Sequence, residues 1–403
     1  MRTVHRIAAF FLILFFLYMA VTGGTIQAID LTTLLTHAPA SNTNMQAIRD
    51  SVDGPSNYVV IAVSDYDAPA LPVNFDFAAS LRATLHSARA AAGGSPFKYI
   101  DWRMKGNQPV AQFKTPAHRL ILNAYNGQLL GTGIDRPVSG KPASAHRTAK
   151  GLHRGENLFG NWTFFVMIIG ICLVLMIVTG LTVWGKLYAD RIRLGRYNPF
   201  WGAGSRWRQL HRAIALVFSL LLLTIAFTGT LLEFDAVYQN IVVNQAVKEV
   251  GAAHAQERFN RDASTPLTDA VLPDVLVTTL SSFRRDHPAT PIKALRLRYY
   301  SGYAQGVVIA GGSDTTQLVY NAHSGQTMSE TEPGYAQVYY PFGWQAHETL
   351  KEIHRGDYFG LSGRAMSLLS SLALIYLSIS GIVMYLELLA KRRRIGRKAL
   401  FWS

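Results

Sequence analysis

The sequence predicts a membrane α-helical protein, with four transmembrane helices arranged as two repeats in the same orientation and an α+β domain outside the membrane in each. Three observations predict it. In a chain of 403 residues, 49% hydrophobic and 16% charged, four apolar runs are long enough to cross a hydrocarbon core of about 30 Å at about 1.5 Å per helical residue. The net charge of +14 is confined to three short segments. The chain also repeats itself: "AHRTAKGLHRGE" at 145–156 returns as "AHETLKEIHRGD" at 346–357.

Taken in order, the first helix lies within 1–29 and is followed by an external domain over 30–157. The second helix spans 158–184, and a basic loop over 185–212 leads to the third at 213–233. A second external domain over 234–360 precedes the fourth helix at 361–386 and a basic tail at 387–403. Segments 1–6, 186–212 and 391–403 hold fifteen Lys and Arg but one acid, Asp190, while bases and acids balance elsewhere. Short basic loops stay on the cytoplasmic side, so both termini and the middle loop are expected inside and the two domains outside. Topology thus accounts for the basic balance without nucleic acid. Trp184, Tyr188, Trp201, Trp207 and Trp402 flank the same ends, where amphipathic rings favour the interface. With Cys172 as the one cysteine, no intrachain disulfide and no Cys-x-x-Cys-His attachment of a c-type haem can form.

The repeat runs through the whole chain. "VHRIAAF" at 4–10 matches "LHRAIALVF" at 210–218, and "VTGGTIQAID" at 21–30 matches "FTGTLLEFD" at 227–235. His5 to His211 and Thr22 to Thr228 share an offset of 206, whereas His153 to His354 and Thr179-Gly180 to Ser380-Gly381 share 201. "LILNAYNGQLL" at 120–130 is echoed by "QLVYNAHSGQTM" at 317–328. Two halves in one orientation imply a pseudo-two-fold axis along the membrane normal. That symmetry argues against a cleaved signal peptide at the first run, although Arg2 and Arg6 would suit its charged start. Strand-like "YVVIAVS", "LRLRYY" and "GVVIAGG" alternate with helical "FAASLRATLHSARAAA", so two small α+β domains are expected.

Four of the twelve histidines stand at equivalent helix entrances, each followed by arginine: His5-Arg6, His153-Arg154, His211-Arg212 and His354-Arg355. The symmetry pairs His5 with His211 near the inner face and His153 with His354 near the outer face. Ionisable residues at membrane helices are functional by default, and two imidazoles facing each other across a four-helix bundle can hold haem iron axially in an apolar slot. The arginines suit haem propionates, since a guanidinium matches a carboxylate bidentately. Thr-Gly or Ser-Gly inside each helix permits close approach of helices or of a flat macrocycle. Snorkelling of His and Arg to headgroups is the plain alternative for any single pair, and four symmetric copies weigh against it. Zinc fits less well, because no acid accompanies the histidines at matching positions. His146 and His347, each seven residues before an entrance histidine, are open candidates for a further ligand set, a replacement ligand set, a substrate site or plain surface. His37, His86, His118, His254, His287 and His323 lack such symmetry and are assigned structural roles.

"VHRIAAFF", "LHRGENLFGNW", "IVTGLTVWG", "LHRAIALVF", "AFTGTLLEF", "IHRGDYFGLSGR" and the paired Gly-Gln turns together resemble the PepSY-associated transmembrane proteins. That family includes inner-membrane ferric-siderophore reductases and iron-regulated membrane proteins of bacteria. The resemblance covers nearly the whole chain. It implies PepSY-like periplasmic domains and two b-type haems with His5, His153, His211 and His354 as ligands. It also implies an oxidoreductase that passes electrons from the cytoplasmic side to a periplasmic ferric chelate such as a ferric siderophore. No flavin or nicotinamide domain is fused to the chain, so the cytoplasmic or membrane electron donor is unspecified, as is the chelate. Two other classes compete: a membrane-anchored PepSY binding protein that regulates proteases without redox activity, and a transporter.

Overall fold

The computed structural model describes residues 2–39, 41–50, 58–133, 143–156, 162–259, 267–312, 315–333, 335 and 340–396. Trp402, the end of the basic tail and residues 157–161 of the repeated entrance motif lie outside them. The chain forms two compact units. One comprises residues 1–38, 143–241 and 346–403; the other comprises 39–142 and 242–345.

The first unit is helical. Its long helices are α1 (Arg2–Leu35), α5 (Thr163–Arg193), α6 (Arg206–Phe259, whose residues from Val242 belong to the second unit and whose backbone breaks at Gly251) and α9 (Gly360–Arg394). All four are long and apolar enough to cross a membrane. They extend beyond the apolar runs, because hydropathy marks the segment suited to lipid while helical hydrogen bonding continues through polar turns. α1 therefore carries Asp30 and α6 carries Glu233 and Asp235 within continuous helix. Two short helices, α4 (Ala145–His153) and α8 (Trp344–Arg355), hold the repeated His-x6-His segments. Ser144 caps α4, its Oγ accepting from Arg147 N at 3.1 Å. The glycine of each His-Arg-Gly motif has positive φ, 69° at Gly155 and 84° at Gly356, which lets the chain turn out of the helix at low steric cost. α1 packs against α4, α5 and α9.

The second unit is α+β. Before its sheet come α2 (Thr43–Arg49) and α3 (Phe77–Ala92); Asp76 caps α3 through Ala79 N at 2.9 Å. Strands β1 (Tyr99–Lys105), β2 (Gln108–Lys114), β3 (Arg119–Asn123) and β4 (Leu129–Gly133) follow from the first half. The second half supplies α7 (Leu272–Asp286), β5 (Ile292–Tyr300), β6 (Tyr303–Ala310) and β7 (Thr316–Asn321). The expectation of two separate external domains is corrected here, because all seven strands form one antiparallel sheet in the order β4-β3-β2-β1-β5-β6-β7. β1 and β5 join the halves, Tyr99 opposite Arg298 and Arg103 opposite Ala294. Separate sheets would leave both strands as open edges with unpaired backbone groups, and pairing removes both.

The seam also shares a charge. Asp101 of β1, 1% exposed, accepts from Arg103 at 3.0 Å and, across the join, from Arg296 of β5 at 2.7 Å. Burial alone would raise its carboxyl, yet the two guanidinium groups hold it below the ordinary carboxylate range. α3 and α7 pack on the sheet over Phe97, Trp102, Phe113, Phe283 and Leu295, all fully buried. The echoed Gly-Gln segments form equivalent turns. Gly127 N bonds Asn123 O at 3.0 Å and Gly325 N bonds Asn321 O at 2.8 Å, with φ of 71° and 68°.

Candidate functional site

Each entrance histidine reaches the Thr-Gly or Ser-Gly step of another helix of the same half. His5 Nδ1 lies 3.0 Å from Thr179 Oγ1, and His211 Nδ1 lies 2.7 Å from Ser380 Oγ. At the other end, His153 Nδ1 lies 2.9 Å from Thr22 Oγ1 and His354 Nδ1 lies 3.4 Å from Thr228 Oγ1. His5 and Thr22 are 17 positions apart on α1, as are His211 and Thr228 on α6, so about 25 Å of helix separates the two tiers.

Those hydroxyls decide the tautomer. A hydroxyl has one proton to give, and each of these four gives it to its own helix: Thr22 to Tyr18 O at 2.8 Å, Thr179 to Met176 O at 3.1 Å, Thr228 to Thr224 O at 2.8 Å and Ser380 to Leu377 O at 3.1 Å. With the hydroxyl protons assigned to those carbonyls, each oxygen accepts from the imidazole, an assignment that puts the ring proton on Nδ1 and the lone pair on Nε2. Among the described residues Nε2 of the four rings takes no hydrogen bond. This is the arrangement of a metal-ligating histidine whose other nitrogen is fixed by a neighbour.

The pair His153 and His354 stands with ring centroids 6.3 Å apart and planes at 36°. Burial and the nearness of His354 push the His153 pKa well below the ordinary histidine range, and burial lowers that of His354. Ligation needs such neutral rings. At the other tier, His5, Arg6, His211, Arg212, Trp184 and Tyr385 line a cavity of about 810 Å³, whose remaining wall is mostly apolar. Residues and space thus fit haem.

The glycines leave room for the rings. A Cβ at Gly229 would stand 2.6 Å from His354 Cε1, one at Gly23 would stand 3.1 Å from His153 Cε1, and one at Gly180 would stand 3.3 Å from His5 Cε1. Gly381 differs, its Cβ position meeting Ile13 Cδ1 at 3.1 Å. The arginines divide by tier. Arg6 and Arg212 line the cavity, and Arg212 donates to Trp201 O and Ala203 O at 2.9 and 2.8 Å. Arg154 pairs with Glu156 at 2.9 Å and Arg355 with Asp357 at 2.6 Å, so a propionate there meets arginines already engaged by carboxylates two residues on.

His146 and His347 stand outside this arrangement and carry their own acids. His146 Nδ1 lies 2.6 Å from Asp30 Oδ1, and His347 Nδ1 lies 2.8 Å from Asp235 Oδ2. Arg364 donates to the second oxygen of Asp30 and pairs with Asp357. Sequence reading missed Asp30 and Asp235, although the matched segments at 21–30 and 227–235 both end on them. Arg364 left no such signal, since Thr163 occupies the matching position. Among the described residues no three His, Cys, Asp or Glu side chains converge as a tetrahedral zinc site requires. Of the remaining histidines, His118 closes a turn with Thr115 and His287 stacks on Phe283 with centroids 5.5 Å apart.

The family profile described as PepSY-associated TM region matches residues 2–387, which takes in both histidine tiers. No curated protein matches the chain.

Proposed function

The chain belongs to the PepSY-associated transmembrane family, and from that premise and the histidine geometry we propose that it is a di-haem b membrane reductase delivering electrons to a ferric chelate on the far side of the membrane. The observation that carries this reading is the fourfold Nδ1 contact with a helix hydroxyl, which leaves the Nε2 of each ring as its open nitrogen. Bound haem supplies reversible one-electron iron chemistry.

The chain's own residues do the rest. His5 with His211, and His153 with His354, would hold the two groups through Nε2. Arg6 and Arg212 face the cavity of the first pair, where a propionate's charge needs a partner. The apolar walls of α1, α5, α6 and α9 exclude water, which limits side reactions of reduced iron. The basic segments support a cytoplasmic side for the His5 tier, in a bacterial inner membrane, and a periplasmic side for the sheet unit. A chelate such as a ferric siderophore holds iron(III) through hard oxygens and iron(II) less tightly, so one-electron reduction frees the metal and spares the chelator.

The test is spectroscopic. Purified protein is expected to show a Soret band and a reducible α-band, and the reduced α-band to decay at a rate that rises with added ferric hydroxamate chelate. His354→Ala protein is expected to decay far more slowly. A decay rate independent of chelate, or equal in the two proteins, overturns the reductase. Colourless protein from haem-sufficient cells leaves an anchored binding protein or a transporter.

A further inference from the structure

The two tiers bond Nδ1 differently. His5 and His211 meet a hydroxyl alone. His354 Nδ1 lies closer to the Ile225 main-chain oxygen, at 3.0 Å, than to Thr228 Oγ1 at 3.4 Å, while beside His153, whose Nδ1 lies 2.9 Å from Thr22 Oγ1, the Met19 carbonyl acts on the ring in the direction that favours its proton. Met19 and Ile225 hold the same place, three residues before the threonine and four before the glycine. Gly23 and Gly229 lack the Cβ that would crowd each ring, as Gly180 does beside His5. Around His211 no such approach occurs, since the Cβ position of Gly381 meets Ile13.

We propose that this difference sets the order of the two centres: iron held by His153 and His354 has the lower reduction potential, iron held by His5 and His211 the higher. The inference rests on the haem reading above. An amide carbonyl oxygen carries more negative charge than an alcohol oxygen and is the stronger acceptor, so it draws the Nδ1 proton further and makes Nε2 the more electron-rich donor. An electron-rich ligand favours iron(III) and lowers the potential. The outer centre is thereby the stronger reductant, as a chelate that grips iron(III) requires. One electron passes from the inner centre, which is oxidised, to the outer, which is reduced, and no proton moves. Against that gradient the membrane potential, negative inside, favours outward movement of an electron.

The experiment is a spectroelectrochemical titration of the purified full chain, with midpoints assigned to tiers through His211→Ala and His354→Ala. The outer midpoint is expected to lie below the inner one. Thr179→Val and Ser380→Ala, which remove the inner tier's hydroxyl acceptors, are expected to raise the inner midpoint. Thr22→Val and Thr228→Val, which leave the carbonyls in place, are expected to move the outer midpoint much less. In haem-free protein, ring ¹⁵N shifts are expected to report the Nδ1–H tautomer at all four histidines. An outer midpoint equal to or above the inner one overturns the inference, as does a Thr228→Val shift as large as that of Ser380→Ala, with haem still bound. Protein that binds no haem removes the reading beneath it instead.

Discussion

His153 and His354, from opposite halves of the chain, stand with ring centroids 6.3 Å apart, each with Nδ1 on the threonine of its own half's first long helix. Neither ring can move alone without changing that separation.

Tier-specific loss of haem is therefore expected. His153→Ala or His354→Ala removes one group per chain and spares the other, and His5→Ala or His211→Ala does the converse. Pyridine-haemochrome counting on the four variants checks this. Unchanged haem in all four would falsify the ligand assignment, and loss only in His146 or His347 variants moves ligation outward.

The glycine contacts rank by distance. Gly229→Ala puts a methyl 2.6 Å from His354 Cε1, closer than real contacts allow, while Gly180→Ala puts one 3.3 Å from His5 Cε1. The first variant is expected to lose most of the outer tier's α-band and the second to keep most of the inner tier's. Equal behaviour of the two contradicts the ring positions described.

Asp101 makes the sheet seam sensitive to acid. Its folded pKa is depressed, so its contribution is complete above the unfolded carboxylate value of about 3.9 and fades as pH falls below it toward the folded value. Asp101→Asn strands Arg296, leaves Arg103 to Asp65 alone and is expected to cost about 3–5 kcal/mol. Hydrogen exchange in peptides covering β1 and β5 reads both effects. Protection of these strands that is unchanged in the variant rules out the bridging role.

Topology has its own test. Reporter fusions ending at residues 100 and 300 are expected to report outside, and those ending at 195 and 400 inside. An outside signal at 195 separates His5 from His211 and breaks the pairing.

Arg364 is the buried cation between Asp30 and Asp357. Arg364→Met leaves Asp30 to His146 alone and is expected to destabilise by about 3–5 kcal/mol, with Asp30→Asn restoring part of the loss in the double variant. A thermal shift that is simply additive shows that the two residues do not act together.

The linear order of residues determined the four long helices, the doubling, and the equivalence of His5 with His211 and of His153 with His354, because hydropathy and repeats can be read one position at a time. The Thr-Gly steps were legible as places of close approach. That Thr22, Thr179, Thr228 and Ser380 accept from imidazole, and so leave the lone pair on Nε2, follows only once the helices are packed and each hydroxyl's proton is traced to its own carbonyl. Arg364 was beyond reach, since symmetry reveals only what is written twice. The joining of β1 to β5 was hidden for a related reason: β1's own turns specify its neighbour on one side alone, and the other edge finds its partner through a non-local pairing of backbone groups, sealed by Asp101 reaching Arg296, that no local pattern encodes.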